Sequence, residues 1–197
     1  VDDFEQSFAE TLGVKKAIGV GSGTDALKIP LKALGIGPGD EVITAANTFY
    51  ATAGAIAEVG ATPVFVDCDD SFCIDPSLIE AAITKRTKAI LPVHLTGNVA
   101  DMPAIMKIAD HHDLPVVEDG CQSLMAELDG RKVGSWGVAT AFSMHPLKII
   151  NVWGDAGIVV TNDDEMDRMV RLLRNHGLRN RDEMEVCGYN SRLDSVQ

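Results

Sequence analysis

Three stretches hold residue types whose spacing could do chemistry. In Gly21-Ser22-Gly23-Thr24-Asp25-Ala26 small residues lead into an apolar helical pattern, so unpaired backbone N–H groups can approach an anion that the helix dipole also favours. A phosphate suits such a turn. The spacing also fits the G-x-G-x-x-A dinucleotide fingerprint, but the acid that should end the second strand is absent, the chain reading Ala45-Ala46-Asn47 there. A plain tight turn with Thr24 as helix cap stands as the alternative. The second stretch, Val116-Val117-Glu118-Asp119-Gly120-Cys121-Gln122, puts a carboxylate at a strand end. An unpaired charge there is costly, so Asp119 requires a protonated ring nitrogen, an ion pair or a helix amide. The third stretch, Ala141-Phe142-Ser143-Met144-His145-Pro146-Leu147-Lys148, carries a hydroxyl, an imidazole and an amine into one loop. Lys148 lies between Leu147 and Ile149; an amine desolvated by them would be a nucleophile for a carbonyl, whereas a snorkelling surface lysine is the alternative.

Each stretch alone leaves both readings open. Together they supply what pyridoxal 5′-phosphate needs: a helix N-terminus for its phosphate, a carboxylate for its pyridine nitrogen and a lysine for its aldehyde.

The elements that must position them alternate along the chain. Runs rich in β-branched residues at 17–20, 41–45, 63–66, 88–93, 115–118, 138–142 and 157–161 predict seven strands. Helical patterns at 24–34, 51–58, 76–84, 101–112 and 163–174 lie between them, several opening on Asp, Thr or Pro. The strand runs lack apolar/polar alternation, as expected of mostly parallel strands covered on both faces. The prediction is therefore an α/β three-layer sandwich around a mostly parallel seven-stranded sheet. Ligands of such sheets sit beyond the carboxyl ends of the strands, which is where the three stretches fall.

Composition narrows the partners. The 197 residues carry 17 Lys plus Arg against 29 Asp plus Glu, a formal net charge of −12, which repels nucleic acid and anionic membrane. No apolar run approaches the ~20 residues that cross a bilayer, and Val1-Asp2-Asp3-Phe4 begins no signal peptide, so a cytoplasmic protein is expected. Cys68, Cys73, Cys121 and Cys187 form no C-x-x-C, and the five histidines make no metal-binding helical pair around a Glu, so no disulfide framework or metal is assigned. His111-His112 is read as a polar helix end.

The motifs G-S-G-T-D-A-L, E-V-I-T-x-x-N-T-F, E-D-G-C-Q, F-S-M-H-P-L-K, G-D-A-G, R-N-H-G and G-Y-N-S-R-L-D, in this order over nearly the whole chain, resemble the DegT/DnrJ/EryC1/StrS family of pyridoxal-phosphate sugar aminotransferases, of the aspartate-aminotransferase fold type I. The resemblance implies that Lys148 forms the Schiff base, Asp119 pairs with the pyridine nitrogen, and Gln122 approaches the ring hydroxyl. Gly23, Thr24 and Ser143 would hold the phosphate, and the Phe49 ring would stack on the cofactor unless it is simply core. The asparagine of G-Y-N-x-R serves the neighbouring subunit in this family, so Asn190 implies a homodimer with composite active sites. Arg192 would bind a carboxylate or sugar phosphate, or make a structural ion pair.

The implied activity is transfer of an amino group from an amino acid, glutamate first, to a keto or aldehyde carbon of a nucleotide- or phosphate-linked sugar. A sugar dehydratase, in which histidine replaces the lysine, is disfavoured by Lys148. A nicotinamide-binding Rossmann domain would leave Lys148 and Asp119 unexplained, and a regulatory module without catalysis would take up no cofactor. The chain departs from many relatives in Lys148-Ile149-Ile150 for K-N-L and Gly154-Asp155-Ala156-Gly157 for G-D-G-G. Family members are also much longer, so residues 1–197 are expected to be the large cofactor-binding domain, a fragment without the C-terminal small domain.

Overall fold

A computed structural model describes residues 1–196. Helix α1 (Asp2–Leu12) was not anticipated from the sequence, although Glu5, Phe8, Ala9 and Leu12 recur at helical spacing and are the residues it buries. Acidic Asp2, Asp3 and Glu5 suit its first turn, and Gly13 ends it at φ 75°, a left-handed cap that favours glycine. After it come β1 (Lys16–Val20), α2 (Gly23–Ala33), β2 (Glu41–Ala45), α3 (Tyr50–Glu58), β3 (Thr62–Val66), α4 (Pro76–Ala82), β4 (Thr87–Leu91) and α5 (Met102–His111). Next are β5 (Val117–Asp119), a short hairpin of β6 (Glu127–Leu128) and β7 (Arg131–Lys132), β8 (Ala139–Ser143), β9 (Gly157–Thr161) and α6 (Asp164–Arg174).

Every expected strand forms, but not as one continuous sheet. The hydrogen-bonded ladders are a four-stranded sheet in the order β1-β9-β8-β5 and a three-stranded sheet in the order β3-β2-β4, with β9 antiparallel to both neighbours and the other pairs parallel. Between β4 and β5, among the described residues, two isolated parallel bridges remain, Ile90 with Val116 and Val93 with Asp119. Prolines account for the break. Pro92 and Pro115 have no amide N–H, so each can only accept, taking bonds from Asp119 and Ile90 at 2.9 and 3.1 Å.

The sheet is nevertheless covered on both faces around β8 and β9. Ala139, Ala141 and Val159 belong to one apolar cluster with α2 and α5 residues, whereas Phe142, Ile158 and Val160 join a second with Phe8 and Leu12 of α1. That division follows from the two-residue period of a strand. Ala156, which stands where relatives have a second glycine, is fully buried in the second cluster, so its methyl is core packing.

One buried carboxylate ties α1 into this frame. Glu5, 5% exposed, accepts from the Gly19 amide at 2.7 Å and from Arg174 and Arg171 at 2.6 and 2.9 Å. Burial alone would raise its pKa; the Gly19 amide and the two arginines outweigh that and hold it below the ordinary value. No helix among the described residues is long and apolar enough to cross a membrane.

Candidate active site

The carboxyl ends of β1, β5 and β8 surround a cavity of about 260 Å³, near the lower limit of small-molecule pockets. Gly23, Thr24, Phe49, Asp119, Gln122, Ser143 and Lys148 all line it. Asn190 does not. Seven of the eight residues singled out from the sequence therefore converge, from parts of the chain more than a hundred residues apart.

The anion end is built on α2. Ser22 is its N-cap, accepting from the Asp25 amide at 3.1 Å, so the cap is Ser22 and the Thr24 hydroxyl is not used for that purpose. The first intrahelical bond is Ala26 N–H to Ser22 C=O, which leaves the Gly23 and Thr24 amides at the open end of the helix. A Cβ on Gly23 would lie 2.6 Å from Ser143 Cβ and 2.7 Å from its Oγ. Any larger residue would displace the Ser143 hydroxyl, so the glycine permits a close wall between helix and strand.

At the opposite wall Asp119, 5% exposed, ends β5. Its Oδ2 accepts from Thr52 Oγ1 at 2.7 Å and its Oδ1 from the Cys121 amide at 3.1 Å. Neither partner is a cation, so Asp119 is not the ion pair that the sequence left as an alternative. Gln122 lines the cavity and accepts through Oε1 from the Thr96 amide at 3.2 Å, which leaves its amide N–H groups as its donors. Thr96 is held at φ 53°, a left-handed conformation uncommon for a β-branched residue.

Lys148 is half-buried on the cavity wall. Its flanking residues do not desolvate it as the sequence suggested: Leu147 and Ile149 are 88% and 66% exposed. Burial and the Asp119 carboxylate push the Cys121 thiol well above its ordinary value, while the Lys148 ammonium acts on it in the opposite sense. Cys121 therefore stays a thiol, and Lys148 lies within electrostatic reach of the turn that follows Asp119. Phe49 is 52% exposed and its ring centroid is 4.0 Å from that of Tyr50, so it is not core.

Asn190 lies away from the cavity. Its Oδ1 accepts from Arg192 at 3.2 and 2.9 Å, and its backbone bridges Asn175. The same contact pins Arg192 within the chain rather than in an ion pair. Next to it, Ser191 accepts from the Gly21 amide at 3.0 Å and donates to Asp25 Oδ2 at 2.6 Å, so the C-terminal segment braces the turn that opens α2.

His145, the imidazole of the third stretch, also lines the cavity, whereas sequence reasoning missed Thr52 and Asp155 as lining residues. Thr48, just before the N-cap Phe49, and Thr52, in the first turn, bring their hydroxyls to 2.7 Å, and their spacing of four was the available signal. Behind the site sits a second missed feature. Glu118 is fully buried and accepts from His94 Nε2 (3.1 Å), Thr140 Oγ1 (2.7 Å) and the amides of Trp136 (3.0 Å), Gly137 (2.9 Å) and Gly134 (3.3 Å). Because His94 Nδ1 accepts from the Ala100 amide at 3.1 Å, its Nε2 carries the hydrogen given to Glu118. On the far surface Glu80, His111 and His112 place ligand-type atoms within 4.8 Å of one another, next to the polar end of α5. All four cysteines are free thiols.

The site tests well against a phosphorylated pyridine: a wall that only glycine permits, helix amides and two hydroxyls at one end, and a carboxylate and an amine around the remaining space. Fold and site together define an α/β protein whose cavity, at the carboxyl edge of its sheet, is suited to an anionic small molecule. The chain belongs to the DegT/DnrJ/EryC1/StrS aminotransferase family, whose model matches residues 1–197. It is 50% identical over its whole length to a Geobacillus stearothermophilus protein named pleiotropic regulatory protein, covering 53% of that sequence. Over 98% of its length it is 53% identical to a UDP-N-acetyl-3-dehydro-alpha-D-glucosamine 3-aminotransferase of Acidithiobacillus ferrooxidans, again covering 53% of the relative. Its backbone matches the crystal structure of NtdA from Bacillus subtilis with bound cofactor PMP at a TM-score of 0.94, with 40% identity, all of this chain and 45% of that one aligned. The chain thus spans about half the length of the curated relatives it matches.

Proposed function

We propose that residues 1–197 are the large, cofactor-binding domain of a pyridoxal-phosphate sugar aminotransferase. It would move an amino group from an amino acid, glutamate first, to a keto or aldehyde carbon of a nucleotide- or phosphate-linked sugar in amino-sugar biosynthesis. The observation that carries this reading is the meeting of Asp119, Lys148 and the Gly23–Ser143 wall around one cavity. The Acidithiobacillus relative's name supports the sugar class.

When bound, pyridoxal phosphate supplies an aldehyde carbon that amines join and a ring that withdraws electrons from it. The chain's own residues supply the rest. The amides of Gly23 and Thr24 and the hydroxyls of Thr24 and Ser143 bind the phosphate at the positive end of α2. Asp119 accepts from the ring N–H and keeps that nitrogen protonated. Gln122 donates to the ring hydroxyl, and the Phe49 ring covers the ring face. Lys148 Nζ would be the amine that holds the cofactor's aldehyde and, as a free amine, the base that would carry the donor's α-proton. Asn190, which does not line the cavity of its own chain, would serve the phosphate site of a second copy, making a homodimer with composite sites. The two ladders act as one seven-stranded layer through the Val93–Asp119 and Ile90–Val116 bridges, and the enzyme works in the cytoplasm.

Pyridoxal phosphate added to the purified protein is expected to give a visible absorbance band that glutamate bleaches and a nucleotide-linked keto sugar restores. No band at saturating cofactor, or one unmoved by glutamate, contradicts the reading.

A further inference from the structure

We infer that Thr48 and Thr52 form a directed pair of hydroxyls that sets the Asp119 carboxylate, with Thr52 as a positioning residue for the bond to the cofactor's ring nitrogen. The inference rests on Asp119 being the ring-nitrogen partner.

Thr52 is 1% exposed and sits in the first turn of α3. A threonine in a helix usually returns its hydroxyl to its own backbone. Here Oγ1 reaches across 67 residues of sequence to Asp119 Oδ2 at 2.7 Å. A hydroxyl has one hydrogen, and with an ionised Asp119 that hydrogen is the one pointed at Oδ2. The second contact, Thr48 Oγ1 to Thr52 Oγ1 at 2.7 Å, must then run from Thr48 to Thr52. Its direction is fixed by counting.

A helix-stabilising explanation for these two hydroxyls fails on the same geometry. The N-cap of α3 is Phe49 and makes no side-chain cap bond, although threonines stand one residue before it and three after it. Both hydroxyls are committed to the carboxylate instead. With the Cys121 amide on Oδ1 at 3.1 Å, Asp119 is held from two sides by two separate elements, α3 and the turn after β5. Each oxygen keeps a lone pair. The carboxylate is therefore fixed in plane before any ligand arrives, which spares binding the ordering of that group. Phe49 lies on the chain between the two threonines, so the pair also couples the start of the helix that carries the ring-covering aromatic to the carboxylate.

The test compares Thr52→Val, which keeps shape and removes the hydroxyl, with Thr52→Ser, which keeps the hydroxyl. Hydrogen bonds to charged groups correspond to roughly 10- to 100-fold in an equilibrium. Thr52→Val is expected to weaken pyridoxal phosphate binding by about tenfold and to slow bleaching of the visible band by saturating glutamate by a similar factor. Thr52→Ser restores both to within about threefold of the parent protein, and Thr48→Val gives an intermediate loss. Thr52→Ala repeats the measurement should the valine fail to fold. Equal cofactor affinity in all variants overturns the inference, as does a serine variant as impaired as valine. If the parent protein itself takes up no pyridoxal phosphate, the ring-partner reading of Asp119 falls and the inference falls with it.

Discussion

Lys148→Ala is expected to lower the rate of amino transfer from glutamate by about 10³-fold or more, because one amine serves both as covalent anchor and as proton carrier. On the energy scale that is roughly 4 kcal/mol or more of barrier. Lys148→Arg is expected to fail nearly as badly. Arginine keeps the positive charge beside Cys121 and Asp119 but cannot act as a neutral nucleophile, so the pair of variants separates charge from chemistry. Single-turnover kinetics on both proteins checks this. An alanine variant that transfers within about tenfold of the parent rate removes Lys148 from the reaction. Because Lys148 is only half-buried and its neighbours Leu147 and Ile149 are exposed, neither substitution should change the unfolding midpoint much.

The second large effect is on stability and concerns Glu118. Five donors converge on a carboxylate with no exposure: one imidazole N–H, one hydroxyl and three amides of the loop from Gly134 to Gly137. Glu118→Ala leaves all of them buried without an acceptor, a loss of about 3 to 5 kcal/mol by the measure of broken buried pairs. Against a total stability of roughly 5 to 15 kcal/mol that is severe, and for a chain of this size it lowers the melting temperature by about 6 to 20 °C. Thermal unfolding followed by circular dichroism reads it directly, and a shift under about 2 °C would contradict the assignment. The same residue predicts an acid dependence. Burial alone would raise the Glu118 pKa; the His94 N–H, the Gly137 amide and the Thr140 hydroxyl outweigh it, and the folded value lies below 4.5. A carboxylate depressed on folding adds stability that is complete above its unfolded pKa and is lost as pH falls through the folded one. Glu5, depressed by Gly19, Arg174 and Arg171 against its own burial, acts in the same direction. Stability should therefore fall on the acid side of about pH 4.5 and stay level from there to neutrality as far as these two groups decide it.

Glu118 also links stability to the site. It precedes Asp119 on β5, and the Asp119 backbone exchanges bonds with the chain after β4: Asp119 N–H to Pro92 C=O at 2.9 Å and His94 N–H to Asp119 C=O at 3.0 Å. His94 thus holds Glu118 through its ring and Asp119 through its amide. The carboxylate that faces the cavity is aimed by the one that does not.

What could be read in the sequence, and what could not, follows from the range of the forces involved. Strands such as 157–161 were legible because a run buried on both faces must be apolar at every position, and all five residues of β9 are buried. The glycine turn, Asp119 and Lys148 could be singled out only as a set, since each alone leaves a plain structural reading open and it is their combination that matches one cofactor's needs. Helix α1 was overlooked because its buried face contains Glu5, whose partners Arg171 and Arg174 lie more than 160 residues away. The division of the sheet was hidden for a similar reason: Pro92 and Pro115 each look harmless, and only their alignment across neighbouring strands removes the donors. Glu118 was read merely as the residue before Asp119, since nothing local announces that five donors will meet it. Thr52 was passed over because its spacing from Thr48 does not say what the hydroxyl meets until Asp119 is seen 2.7 Å away. Local patterns reveal elements and isolated chemistry; pairings across the chain decide which side chain holds which.

The most direct test of the central claim is a crystal structure of the protein loaded with pyridoxal phosphate. The phosphate is expected on the Gly23 and Thr24 amides, the ring nitrogen within about 3 Å of an Asp119 oxygen, and continuous density between Lys148 Nζ and the cofactor. A cofactor bound outside this cavity, or one whose ring nitrogen faces a group other than Asp119, would contradict the account.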